Sequence, residues 1–136
     1  MALVLDASAT LSWLFDDEFD GVAHSMLVAV SESTAVVPML WRWEIQNSLI
    51  AAEQRERLTS DQRAEMLRDL QALPIAADVR PAAEDLNAEM ALARRYELSA
   101  YDAAYLELSF RKGFPILTRD AGLVRAAKDL GLLWTP

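Results

Sequence analysis

The 136-residue chain has no cysteine, a single histidine, and no Lys or Arg before Arg42. Without cysteine there is no disulfide framework, no zinc–thiolate site and no thiol nucleophile, and the composition fits a reducing compartment. His24 has no partner acid and no second ligand at metal-binding spacing, so it reads as an exposed helix residue. No apolar run approaches membrane-spanning length. The N-terminus, Met-Ala-Leu-Val-Leu-Asp, runs straight into a strand without the basic region and long apolar run of an export signal, so a cytoplasmic protein is expected. A formal net charge of −8 counts against a nucleic-acid partner, whose phosphates are bound through Lys and Arg. The distribution softens this objection. Arg111, Lys112, Arg119, Arg125 and Lys128 cluster late, with Asp120 the only acid between Arg111 and Lys128. A solvated helix face accounts for most of them taken alone.

What is present is a globular balance, 53% hydrophobic and 25% charged, at the length of one domain, so residues 1–136 are expected to fold as a unit. Short apolar runs alternate with helical patterns. Ala2 to Leu5 reads as a strand buried on both faces, because it lacks alternation. A helix follows through Leu11, Trp13, Leu14 and Phe15, then an acidic turn over Asp16 to Asp20 and a second helix over Gly21 to Val30. Ala35-Val-Val-Pro38 is the second strand. From Met39 a helix runs to about Glu53, its inward stripe set by Trp41, Ile45 and Leu49. Thr59-Ser-Asp-Gln62 is a capping box opening a helix that Pro74 ends. Ile75 to Asp78 is a weak strand, and Arg80-Pro81 predicts a helix with proline at its first position and Leu86, Met90, Ala93 and Tyr96 on its apolar face. The next helix begins after Ser99 and stops at Lys112-Gly113. Ile116-Leu117-Thr118 is a strand, a last helix spans roughly Ala121 to Leu130, and Leu132 to Trp134 adds a short final strand. The alternation predicts an α/β fold with a mostly parallel sheet covered by helices on both faces.

Four acids stand out against this frame. Asp6 and Asp120 follow the carboxyl ends of two strands, Glu44 lies in the first turns of a helix, and Asp102 lies in the first turn of another. Each has a local explanation. Asp6 or Ser8 can cap the helix that follows, Asp102 suits both a capping box with Ser99 and the helix dipole, and Glu44 can find a distant partner, although not Arg42, since helix residues two apart do not face each other. If the first and last strands are neighbours, all four carboxylates can meet at one edge of the sheet, at a topological switch point. Like charges brought that close raise one another's pKa. A hard divalent cation such as Mg²⁺ or Mn²⁺ resolves the conflict and can activate water for attack on a phosphodiester.

Val4-Leu-Asp6-Ala-Ser8, Trp43-Glu44-Ile-Gln-Asn47, Leu98-Ser-Ala-Tyr-Asp102-Ala-Ala-Tyr-Leu106 and Leu117-Thr-Arg-Asp120 together resemble the four acidic motifs of PIN-domain ribonucleases, in particular the toxin half of VapBC-type toxin–antitoxin pairs. The resemblance covers essentially the whole chain. It implies an α/β/α sandwich, Mg²⁺- or Mn²⁺-dependent endoribonuclease activity, a homodimer, and inhibition by a cognate antitoxin. By motif position it assigns metal binding and catalysis to Asp6, Glu44, Asp102 and Asp120, with Ser8, Thr118 and Asn47 in support. Two departures stand out. Some members carry a further acid just after the last motif, where this chain has Ala121 and Gly122. The net acidity also places RNA contacts on local cations, namely Arg42, Lys112 and Arg119, or on the basic face of a dimer. The four tryptophans suggest exposed apolar surface for such an interface.

Rival folds fit less well. A response-regulator receiver needs an acidic pair after its first strand and a Lys after its fifth, and a haloacid-dehalogenase-like phosphatase needs an Asp where Ser8 stands. The alternative from another class is a non-catalytic PIN-like module that binds RNA or protein. The electrostatic cost of four gathered acids has no evident use in pure binding.

Overall fold

Leu3, Val4 and Leu5 are wholly buried because β1 (Ala2–Leu5) lies inside a parallel sheet with a helical layer against each face. The computed structural model describes all residues from Met1 to Pro136. After β1 come α1 (Ala7–Leu14), α2 (Gly21–Ser31), β2 (Thr34–Pro38), α3 (Leu40–Gln54), α4 (Ser60–Gln71), β3 (Ile75–Asp78), α5 (Leu86–Tyr96), α6 (Ala100–Lys112), β4 (Ile116–Leu117) and α7 (Ala121–Asp129). The strand order is β3-β2-β1-β4, and every pairing is parallel. This is the α/β/α sandwich expected. The final strand shrinks to one parallel bridge between Leu133 and Ile116.

Alternation along the strands feeds both layers. Leu3, Leu5 and Leu117 pack with Met26 and Val30 of α2, while Val4 and Ile116 pack with Leu106 and Leu108 of α6 and Leu123 of α7. A third cluster joins Leu14 and Phe15 to Ile45, Leu49 and Leu70, seating α3 and α4 beside α1. Trp41 touches all three clusters, and its indole N–H donates to Thr10 Oγ1 at 3.1 Å. The capping box at Thr59 and Gln62 forms as read, and Gly113 ends α6 in the left-handed conformation at φ 70°.

Two expectations are corrected. The helix predicted from Pro81 begins instead at Leu86. Arg80 is drawn to Glu84, Glu89 and the buried Glu107 of α6, and Asp85 takes a left-handed φ of 47°, so the intervening residues form a turn. The face of α5 shifts accordingly: Leu92 and Tyr96 pack on the core, whereas Leu86 and Met90 are exposed. The apolar excess expected from the tryptophans is also smaller, because Trp13, Trp41 and Trp134 lie against the core and only Trp43 is largely exposed.

β4 has two residues, yet both are wholly buried. Leu117→Ala should therefore cost about 2–5 kcal/mol, the range for a large-to-small change in a packed core. Urea unfolding measures it, and a loss below about 1 kcal/mol would place β4 outside the cooperative core.

Candidate active site

The strand order reverses between β1 and β4, with β2 and β3 on one side of β1 and β4 on the other. This is the switch point at which open α/β sheets bind ligands beyond the strands' carboxyl ends. Val4 pairs with Ile116 and Leu5 with Leu117, so Asp6 and Thr118 leave the sheet side by side.

Asp6 is 3% exposed and accepts three hydrogen bonds. Its Oδ1 takes the Ala9 N–H at 2.9 Å and the Ser8 hydroxyl at 2.7 Å, and its Oδ2 takes the Thr118 hydroxyl at 2.6 Å. Asp6, and not Ser8, is the N-cap of α1. The two hydroxyls tie the loops together. Ser8 Oγ accepts the Arg119 N–H at 2.9 Å, and Thr118 Oγ1 accepts the Asp120 N–H at 3.1 Å. Asp120 caps α7 through Oδ2, which takes the Leu123 N–H at 2.9 Å. At the start of α6 the Asp102 N–H donates to Ser99 Oγ at 3.1 Å.

Glu44 finds its partner in Tyr105, whose buried hydroxyl donates to Oε1 at 2.5 Å. Tyr105 went unassigned in the sequence, although it stands three residues after Asp102 and so shares that acid's face of α6. It matters because it is neutral. It fixes Glu44 without cancelling its charge.

The electrostatics join the four acids in a chain. Burial pushes the Asp6 carboxyl up to about 6 against the pull of its three hydrogen bonds, and the nearby Asp120 adds to the rise. Burial likewise raises Asp102, again helped by Asp120, and raises Glu44, helped by Asp102 and opposed by Tyr105. In this arrangement no three of the acids close on one point at metal-holding distance. Three of them are turned by bonds of their own, Asp6 and Asp120 toward helix N–H groups and Glu44 toward Tyr105. Asp120 Oδ1 and Glu44 Oε2 accept none of these bonds, and the donor set is all hard oxygen. In type and charge these residues fit a hard divalent cation, and side-chain rotation is what closing on it requires.

The supporting residues divide. Ser8 and Thr118 bond directly to Asp6, whereas Asn47 is exposed and makes no side-chain hydrogen bond. Of the three cations, Arg42 is exposed on the first turn of α3, two residues before Glu44 and so on a different face of the helix. Lys112 lies ten residues beyond Asp102, about 15 Å along α6 at 1.5 Å per residue, so it is at the wrong end of the helix. Arg119 is held by Asp20 through two bonds of 2.7 Å, which draw its side chain to the start of α2. A cavity of about 830 Å³ contains none of the four acids; it lies among α1, α2 and α4, and its lining includes Trp13, Leu14, Leu27, Met66 and Leu73.

A parallel sheet between helical layers, with acids gathered at its switch point, defines the class. The model of the PIN domain family matches residues 3–129, and the chain belongs to that family. Among curated proteins it is similar to Ribonuclease VapC3 of Pyrobaculum aerophilum, at 33% identity over 137 residues that cover all of both chains. Among solved structures it is similar to the crystal structure of PAE2754 from the same organism, with a TM-score of 0.68 at 19% identity over 93% of this chain and 79% of that one, a likeness of fold alone.

The raised Asp6 carboxyl has a measurable sign. Protonated natively up to about pH 6 but only to about 4 when unfolded, it binds more protons in the native state across that window, so stability falls as pH rises through it. In chelator, unfolding free energy should drop by up to about 3 kcal/mol between pH 4 and 7, and Asp6→Asn should flatten that decline. An identical slope in the variant would mean that Asp6 is not the titrating group.

Proposed function

We propose that the chain is a metal-dependent endoribonuclease that hydrolyses RNA phosphodiester bonds, and that it is the toxin component of a toxin–antitoxin pair. The observation that carries the proposal is the coupling of Asp6, Asp102, Asp120 and Glu44 at the β1/β4 switch point, three of them with raised carboxyls. The full-length similarity to a protein named as a ribonuclease supplies the chemistry. A non-catalytic module would have no use for this uncompensated charge.

Asp6, Asp102 and Asp120, with Glu44, would hold Mg²⁺ or Mn²⁺, which when bound lowers the pKa of water and offsets charge on the phosphate oxygens. The chain's own residues do the rest. Ser8 and Thr118 fix the Asp6 carboxylate through its two oxygens and keep the β4–α7 loop against it. Tyr105 holds Glu44 Oε1 and leaves Oε2 to take a proton from the attacking water. Arg42, exposed two residues before that acid on α3, would meet the RNA backbone. Water adds to phosphorus as its proton passes to Glu44, the bond to the leaving oxygen breaks, and that oxygen takes a proton from solvent while Glu44 gives its own back to solvent.

The proposal extends to a single domain over residues 1–136, a homodimer, a cytoplasmic location and a cognate antitoxin. No helix is long and apolar enough to cross a membrane. The groove among α1, α2 and α4 joins an apolar floor to a rim bearing Asp16, Glu65 and Asp69, with Asp17 paired to Arg57, so it suits an amphipathic antitoxin segment with basic flanks.

Asp6→Asn and Asp102→Asn should each lower cleavage of single-stranded RNA by at least about 100-fold while the fold, followed by circular dichroism, persists. Mn²⁺ or Mg²⁺ should raise the melting temperature of the parent in a concentration-dependent way that Asp102→Asn loses. Undiminished cleavage by both variants would remove the assignment of these acids.

A further inference from the structure

The last turn of α5 and one face of α7 border an open pocket of about 440 Å³, with Gly122, two residues after Asp120, on its wall. Its wall carries Arg94, Arg95 and Arg125, together with Glu97 and Asp129. Asp129 is already occupied. It accepts the Tyr96 hydroxyl at 2.5 Å and an Arg95 N–H at 3.5 Å. Arg94 and Arg125 are exposed and enter no ion pair.

Gly122 links this pocket to the acids. A Cβ at that position would lie 3.2 Å from Leu98 Cδ2, 3.3 Å from Asp120 Oδ2 and 3.9 Å from an Arg125 guanidinium nitrogen. The acid and the guanidinium therefore lie within 4 Å of one point on the pocket wall, and the missing side chain leaves that point open. Arg94 and Arg95 also suit the negative end of the α5 dipole. That explanation does not reach Arg125, which sits inside α7 and not in its last turn.

We propose that this pocket is a subsite for a backbone phosphate of the RNA strand, next to the phosphodiester that is cut, with Arg125 and Arg94 as its ligands. The proposal rests on the ribonuclease reading and says where a chain of net charge −8 holds a polyanion. A guanidinium fork matches two phosphate oxygens, and its charge is retained at any working pH. The volume lies in the range that takes a ligand of nucleotide size. An interaction of this kind sets the position of the strand and carries no base preference. It also replaces Lys112 and Arg119, which lie at the far end of α6 and on Asp20 respectively.

The test uses a mixed-sequence single-stranded RNA oligonucleotide. Binding to the cleavage-deficient Asp102→Asn protein is followed by fluorescence anisotropy across a salt series, and cleavage is measured in the parent background. Adding Arg125→Ala or Arg94→Ala should weaken binding several-fold and reduce the slope of log K against log salt by about 0.7 for each phosphate no longer neutralised. In cleavage, KM should rise with kcat changed less than about twofold, as expected when binding is lost equally from ground and transition states. Arg125→Lys should keep most of the slope, and Arg68→Ala, at an exposed position of α4, should change neither quantity. Unchanged salt slopes in both alanine variants of a protein that still cleaves RNA would overturn the subsite and leave the ribonuclease reading standing. A parent that neither binds nor cleaves RNA would overturn both.

Discussion

The parallel pairing of β1 with β4 sets what happens at the acidic edge. Two register pairs, Val4 with Ile116 and Leu5 with Leu117, bring the two strands to an end at the same level. Asp6 and Thr118 then emerge as neighbours, and the Thr118 hydroxyl reaches Asp6 Oδ2. A slip of one residue would turn Thr118 to the other face of the sheet and leave Asp6 without that donor. Because Thr118 also receives the Asp120 N–H, the same slip would release Asp120. The register is protected by burial, since Ile116 and Leu117 feed opposite layers and exchanging them would give neither layer a side chain that fits.

Charge at this edge is kept in place and kept unneutralised. Asp6 and Asp120 each cap a helix, which anchors the carboxylates at helix N-termini where negative charge is favoured. Capping explains each acid separately. It does not explain why Asp120 raises both Asp6 and Asp102, or why Asp102 raises Glu44. The partners chosen for these acids are neutral: two hydroxyls for Asp6 and a phenol for Glu44. The cation nearest in sequence, Arg119, is turned to Asp20. Like charges gathered without a cation, although each acid is satisfied locally, are the conflict between levels that marks a functional site in an otherwise consistent sequence.

The fold and the substrate surface follow different constraints. A solved structure with 19% identity shares the architecture, so the layers tolerate wide replacement provided that volume and pattern are kept. The cations that would touch RNA have no such protection, because they are exposed and act through position alone. In this chain they occupy the flank of Asp120, between α5 and α7, where Gly122 leaves room.

Periodicity and end signals in the sequence determined the elements and their order, since unalternating strands, the Thr59 capping box, Ser99 and Gly113 all act within a few residues of themselves. The four acids were legible for the same reason: each sits at a strand end or helix start that local signals mark. The proline at 81 misled, because Arg80 answers to Glu107, 27 residues away, and no local rule reports that bond. Tyr105 as the partner of Glu44 lay 61 residues off, and the capture of Arg119 by Asp20 spans 99. Which hydroxyl meets which carboxylate, which cation is free, and how far the acids stand apart were decided only by the tertiary structure. These are contacts between side chains that share no helix or strand, and their distances depend on strand register and layer packing, not on spacing along the chain.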